Sequence, residues 1–177
     1  MKVAGRRRAA TALALSARHI RPGNRSAHRD VIKAEVLEKL LGGRDESALN
    51  ELGEHYAQKL PLGYRPAMVE RVSWHRKQQH LLVLVTASLG VYARPAAKAL
   101  GFDEVIAVEM ESAGGHLTGA MTGPNVRGPE KAVRIQAHIN EDPDGQAELW
   151  AYGNSSGDTD LLALADHPTW VGARRRA

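Results

Sequence analysis

Leu81-Leu82-Val83-Leu84-Val85-Thr86-Ala87-Ser88 is the stretch on which the fold turns. Five consecutive apolar residues leave no polar side for water, and the run is too short for a helix, so it predicts a strand covered on both faces. Such strands belong to parallel sheets, whose connections are helical crossovers. The downstream sequence has that alternation. A helix is expected to end near Leu100-Gly101, followed by a strand over 105–108 and a hairpin-like stretch through Gly114-Gly115 and Leu117-Thr118-Gly119. A helix from Pro129, a strand over 149–152, a helix over 158–165 and a terminal strand over 169–171 complete the series. The expectation is an open α/β sheet, with ligands bound beyond the carboxyl ends of its strands.

Upstream, the pattern changes to helical stripes. Val31, Ile32, Val36, Leu37, Leu40 and Leu41 share one helical face, closed by Gly42-Gly43, where a left-handed cap costs least. Leu49, Leu52, Tyr56 and Leu60 form a second stripe, stopped by Pro61 and Gly63. Pro66 suits a first helical turn, and Met68, Val69, Val72 and Trp74 continue it with a partly buried face. These stripes are read as packing surfaces. The change near His80 divides the chain into a helical segment, 1–79, and an α/β core, 80–177.

Composition narrows the function classes. With 43% apolar and 25% charged residues over 177, the chain is long enough to bury a core and has the balance of a globular domain. Cysteine is absent, which removes disulfides, thiolate metal sites and cysteine nucleophiles, and fits a reducing, cytoplasmic location. No apolar run approaches the roughly 20 residues of a membrane helix, so no span is expected. The net charge of +4 is uneven: residues 1–30 hold eight Lys/Arg and one acid, whereas the remainder holds 16 against 19. Arg6, Arg7 and Arg8 before an Ala-rich run have the outline of a secretory signal, but a solvated basic helix face is the preferred reading. Arg174, Arg175 and Arg176 read as a frayed tail. No aromatic residue lies among the N-terminal arginines to stack on bases, so nucleic acid is not expected as a partner.

Three polar clusters fall where such a sheet places a site: Thr86-Ala87-Ser88, Lys131 at a helix start, and Gly153-Asn154-Ser155-Ser156-Gly157-Asp158. Hydroxyls at a strand end and N–H groups at helix starts hold phosphate oxygens, a lysine neutralises them, and a carboxylate holds a divalent cation. Together they point to anion chemistry.

In order and spacing these clusters resemble the haloacid dehalogenase-like phosphatases, in the branch that includes phosphoserine phosphatase. Residues 81–88 are similar to the second motif of that family. The stretch through Leu117-Thr118-Gly119 and Asn125-Val126-Arg127-Gly128-Pro129-Glu130-Lys131 is similar to the one carrying its lysine, and residues 152–158 to its acidic fourth motif. Residues 33–79 look like its cap insertion. The resemblance, over about residues 30–172, implies a Rossmann-like three-layer α/β/α core with an N-terminal helical cap. It also implies Mg²⁺-dependent hydrolysis of a small phosphorylated metabolite. An aspartate ending the first strand would attack phosphorus, with a second aspartate two residues on as general acid/base. Thr86 would hydrogen-bond the phosphoryl oxygens and Lys131 would offset their charge. Asn154 and Asp158 would face the metal, and Ser88, Arg127, Gly153 and Ser155 the substrate.

Two departures qualify that expectation. No Asp-x-Asp-x-Thr strand precedes Lys33, where Asp30 is the only acid, so the central first strand is expected to be missing and the chain to be truncated, inactive or impaired. Asn154 stands where the family has an acid, which should weaken a Mg²⁺ site. A phosphate-binding module without turnover, or a remnant, is the alternative reading. Gly153-Asn154-Ser155-Ser156-Gly157 also fits the nucleophile elbow of serine hydrolases, with Ser155 as nucleophile. None of the eight histidines makes a zinc-ligand pattern, so zinc catalysis is not expected.

Overall fold

The computed structural model describes residues 25–140 and 148–172. The predicted N-terminal basic helix, the turn-rich loop at 140–146 for all but its first residue, and the C-terminal arginines lie outside these residues.

Three helices open the described chain: α1 (Arg25–Leu41), α2 (Glu46–Ala57) and α3 (Pro66–Lys77). The first stripe buries Leu37 and Leu41, and Gly43 carries the positive φ of 71° that lets the chain turn out of the helix. Asp45 caps α2 by accepting from the Ala48 N–H, and Pro66 opens α3 at its first turn. The second stripe is shorter than expected: α2 stops at Ala57 and Leu60–Gly63 is a 3₁₀ turn. Leu49 is buried, but Leu52 and Tyr56 are exposed, and Tyr56 instead meets Tyr92 edge-on at 5.2 Å. The α3 stripe also differs, because Val69 and Trp74 are exposed and the buried residue of that helix is His75.

The core is an α/β assembly, as predicted. Strand β1 (Val83–Leu89) runs parallel to β2 (Glu104–Val108), joined by α4 (Gly90–Leu100). Strands β3 (Met110–Ala113) and β4 (His116–Met121) form an antiparallel hairpin. Gly114 and Gly115, at φ 58° and 79°, supply the two left-handed residues that a tight hairpin turn needs. Helix α5 (Pro129–Asn140) leads to β5 (Trp150–Gly153), a 3₁₀ turn (Ser156–Asp158), α6 (Thr159–Leu164) and β6 (His167–Trp170), which is parallel to β5.

The parallel sheet is in two pieces. Among the described residues β1 pairs with β2 and β5 with β6, and no ladder joins β1 to β5. All seven residues of β1 are half-buried, where the sequence predicted full cover on both faces. Both pieces nevertheless rest on the same apolar cluster: Ile135 of α5, Ala151 of β5, and Leu161 and Leu162 of α6 pack with Val83, Val85 and Ile106. A second cluster unites α1 and α2 with the hairpin through Leu37, Leu41, Leu49 and Leu117, with Leu89 and Val91 packed against it. Helices from the first 80 residues thus lie against the end of β1.

Candidate phosphate-holding site

The loop after β5 folds around one carboxylate. Asp158 is buried, and its Oδ2 accepts from the Asn154 N–H at 3.1 Å, the Ser155 N–H at 3.0 Å and the Ser155 hydroxyl at 2.8 Å. Its Oδ1 accepts from Lys131 Nζ at 2.6 Å. Burial pushes the carboxyl pKa up, but the bonds from Lys131 and Ser155 outweigh it and leave the pKa below the ordinary value. Gly153 is required beneath this arrangement, since a Cβ there would stand 2.5 Å from Asp158 Cβ.

Lys131 is delivered by the first turns of α5, and the loop leading to that helix is stitched to the β5 loop. The Gly128 N–H donates to the Gly157 carbonyl oxygen at 2.9 Å, and a Cβ on Gly157 would stand 2.9 Å from Arg127 Nε. Gly128 has φ 56°, which turns the chain into the helix. Lys131, Arg127, Gly153, Asn154, Ser155 and Asp158, expected from sequence at one site, are therefore brought together.

Thr86 and Ser88 lie within β1 and not after it. The ladder passes from Val85↔Ile106 to Leu89↔Val108, so three residues of β1 stand against one of β2. Bulges of this kind re-aim side chains. Here the Ser88 N–H donates to Thr86 Oγ1 at 3.1 Å. No direct bond links Thr86 or Ser88 to Lys131 or Asp158. The Thr86–Ser88 stretch is instead tied to helix α1 and the loop before α5 by residues the sequence reading did not assign to the site: Lys33 Nζ bonds the Ala87 carbonyl oxygen and Asn125 Oδ1, and Asn125 Nδ2 bonds Asp30 Oδ1. Asp30 is thus held within α1 as a hydrogen-bond acceptor.

The donor set bears directly on metal binding. About four lone-pair sites are available on a carboxylate, and four donors already converge on Asp158. Asn154 adds only a neutral amide, and among the described residues no three acidic or histidine side chains gather at one point. These residues do not by themselves fit a Mg²⁺ ion, which takes one or two free carboxylates along with phosphate and water oxygens. Ser155 is likewise not set up as a nucleophile, because its hydroxyl donates to Asp158, while His167 stacks on Trp150 and bonds Glu148.

Comparison with known proteins settles the ancestry. The profile of the haloacid dehalogenase-like hydrolases matches residues 1–163. The chain belongs to that family. It is 31% identical over 141 residues to protein CicA of Caulobacter vibrioides, a match covering 78% of this chain and 62% of CicA. The chain therefore spans about three fifths of that relative. Its fold is similar to a protein of unknown function from Bordetella pertussis Tohama I, with TM-score 0.66, 22% identity, and 89% of this chain and 70% of that one covered. It is also similar to a probable phosphoserine phosphatase from Vibrio cholerae, with TM-score 0.63, 17% identity, and 90% and 45% covered.

Proposed function

We propose that this chain carries the phosphoryl-holding part of a cytoplasmic, Mg²⁺-dependent phosphomonoesterase of the phosphoserine phosphatase type, acting on a small phosphorylated metabolite. The observation that carries the reading is the Lys131–Asp158 pair, set between two loops that the Gly128–Gly157 hydrogen bond locks together. Asp158 holds the lysine in place, leaving its remaining N–H groups to meet an oxyanion. The Thr86 hydroxyl, Ser88 and the Arg127 guanidinium would supply further donors, and Gly153 and Ser155 the walls of the pocket. Helices α1 to α3 would form the cap over it, the α/β core starting near residue 80. Asn154 and Asp158 would contribute to a cation only alongside carboxylates from a first-motif strand, and Asp158 only by giving up one of its four present donors.

The motif of that strand is what the sequence lacks. No Asp-x-Asp-x-Thr occurs in its 177 residues, and Asp30, the one acid before Lys33, is engaged by Asn125. Without that motif we read these 177 residues as inactive or severely impaired in phosphate release while still able to bind phosphate. Among the described residues no ladder joins β1 to β5, and the resemblance to this family implies that its first strand runs between those two edges. The test pairs binding with turnover. Inorganic phosphate should raise the melting temperature of the protein, and aryl phosphate with Mg²⁺ should release no phosphate above background. Turnover abolished by Lys131→Ala would show an intact enzyme instead. A melting temperature indifferent to phosphate would remove the site altogether.

A further inference from the structure

Lys33 sits on the buried stripe of α1, three, four and seven residues before Val36, Leu37 and Leu40, so its stem is carried inward with theirs. Its ammonium ends between two acceptors, the Ala87 carbonyl oxygen at 2.6 Å and Asn125 Oδ1 at 2.6 Å. Burial lowers the Lys33 pKa, and the nearby Asp30 carboxylate opposes that shift. Asn125 is itself buried, and its Nδ2 donates to Asp30 Oδ1 at 2.6 Å. The chain Asp30, Asn125, Lys33, Ala87 therefore ties helix α1 to the loop before α5 on one side and to β1 on the other.

The peptide unit that Lys33 grips has a second polar end. Its carbonyl belongs to Ala87 and its N–H to Ser88, and that N–H donates to Thr86 Oγ1. A peptide unit is planar, so holding the carbonyl also sets the direction of the N–H. A hydroxyl that accepts one hydrogen bond keeps its own hydrogen to donate elsewhere. The interrupted ladder to β2 over this stretch leaves the unit in need of such a support.

We propose that Lys33 is a positioning residue of the phosphate site: it fixes the 87–88 peptide so that the Thr86 hydroxyl hydrogen is presented to a phosphoryl oxygen, and its ammonium adds positive charge beside that oxygen. The inference rests on the phosphate-holding reading above and extends it to helix α1. The ligand class is a phosphate monoester or inorganic phosphate.

Calorimetric titration with inorganic phosphate tests it on the full chain and on Lys33→Met, Lys33→Arg, Lys131→Ala and Lys39→Met, the last an exposed lysine of the same helix. Lys33→Met should weaken phosphate binding about tenfold, as expected for losing a charge-assisted contact. It should also flatten the dependence of affinity on ionic strength. Lys33→Arg should restore the ionic-strength dependence but only part of the affinity, because a planar fork does not reproduce the ammonium's bond to Ala87. Lys39→Met should change neither. A lower melting temperature in Lys33→Met with unchanged phosphate affinity would assign Lys33 to stability alone and overturn the proposal. If Lys33→Met does not fold, Lys33→Gln, which keeps a donor without the charge, is read by the same two criteria. Binding lost in Lys131→Ala but intact in Lys33→Met defeats only the role of Lys33. No phosphate binding by the unaltered chain defeats the underlying reading and this one with it.

Discussion

Lys131 Nζ lies 2.6 Å from Asp158 Oδ1, and the two side chains are only 11% and 9% exposed, so an ion pair that water barely reaches joins α5 to the loop after β5. Two charges removed from water are tolerable together and costly apart. The remaining donors on Asp158 come from its own loop, so the carboxylate organises the loop and presents the lysine at once.

Removing both partners should therefore cost less than the sum of removing each, although the loop donors on Asp158 lose their acceptor in the double variant too. Lys131→Met or Asp158→Leu alone is expected to destabilise the fold by about 3–5 kcal/mol, since each leaves a buried, unpaired charge. The double variant Lys131→Met/Asp158→Leu should lie well above the sum of the two in stability. Urea denaturation of the four proteins measures this directly. Additive losses would mean that the two groups do not interact as the geometry requires.

Gly153 sets how closely α6 and its preceding turn approach β5. A Cβ at this position would meet Asp158 Cβ at 2.5 Å and Leu162 Cδ1 at 3.1 Å, contacts too short to be absorbed without moving the loop. Gly153→Ala is expected to cost about 1–3 kcal/mol, the usual penalty of overpacking a closed site. It should also weaken phosphate binding by displacing Asp158 and, through it, Lys131. Thermal unfolding and a phosphate titration of the one variant check both effects. A variant with unaltered stability would show that the loop has slack the distances do not reveal.

The sequence made the main elements legible where a local cause was sufficient. Five apolar residues announced β1, Pro129 the start of α5, and Gly114-Gly115 the hairpin, because each acts on its own few residues. The lysine and the acidic loop were found because both stand at element boundaries, where backbone donors gather. The bonded set of Lys33, Asn125 and Asp30 was not foreseen, since its bonds span 54, 92 and 95 residues and local periodicity contains no term for such partners. One signal was present: a lysine on an apolar stripe has to end at an acceptor. The α3 stripe gave no sign of its buried residue. Apolar Val69 and Trp74 were expected on a partly buried face and are 36% and 37% exposed, whereas His75 took the buried place because Tyr152 and His80 satisfy both its ring nitrogens.

That histidine should make the fold sensitive to mild acid. His75 is 4% exposed, with Nδ1 2.8 Å from His80 Nδ1 and Nε2 2.8 Å from the Tyr152 hydroxyl. Trp74 and Trp150 meet its ring edge-on, and Arg71 lies over Trp74 and Tyr152. Burial, then His80, then Arg71 hold its pKa below the ordinary histidine value. The unfolded chain, with a histidine pKa of about 6.5, binds this proton at a higher pH than the folded one does. Stability is thus fully present above the unfolded pKa and is lost as pH falls from there toward the folded pKa, because the unfolded state gains protons first. Urea midpoints measured between about pH 7.5 and pH 5 should fall on acidification. In His75→Phe, which keeps an aromatic ring but cannot take up the proton, the part of that slope due to this residue should vanish while other groups still titrate. Identical slopes in the two proteins would mean that His75 takes up its proton as readily in the folded state as in the unfolded one.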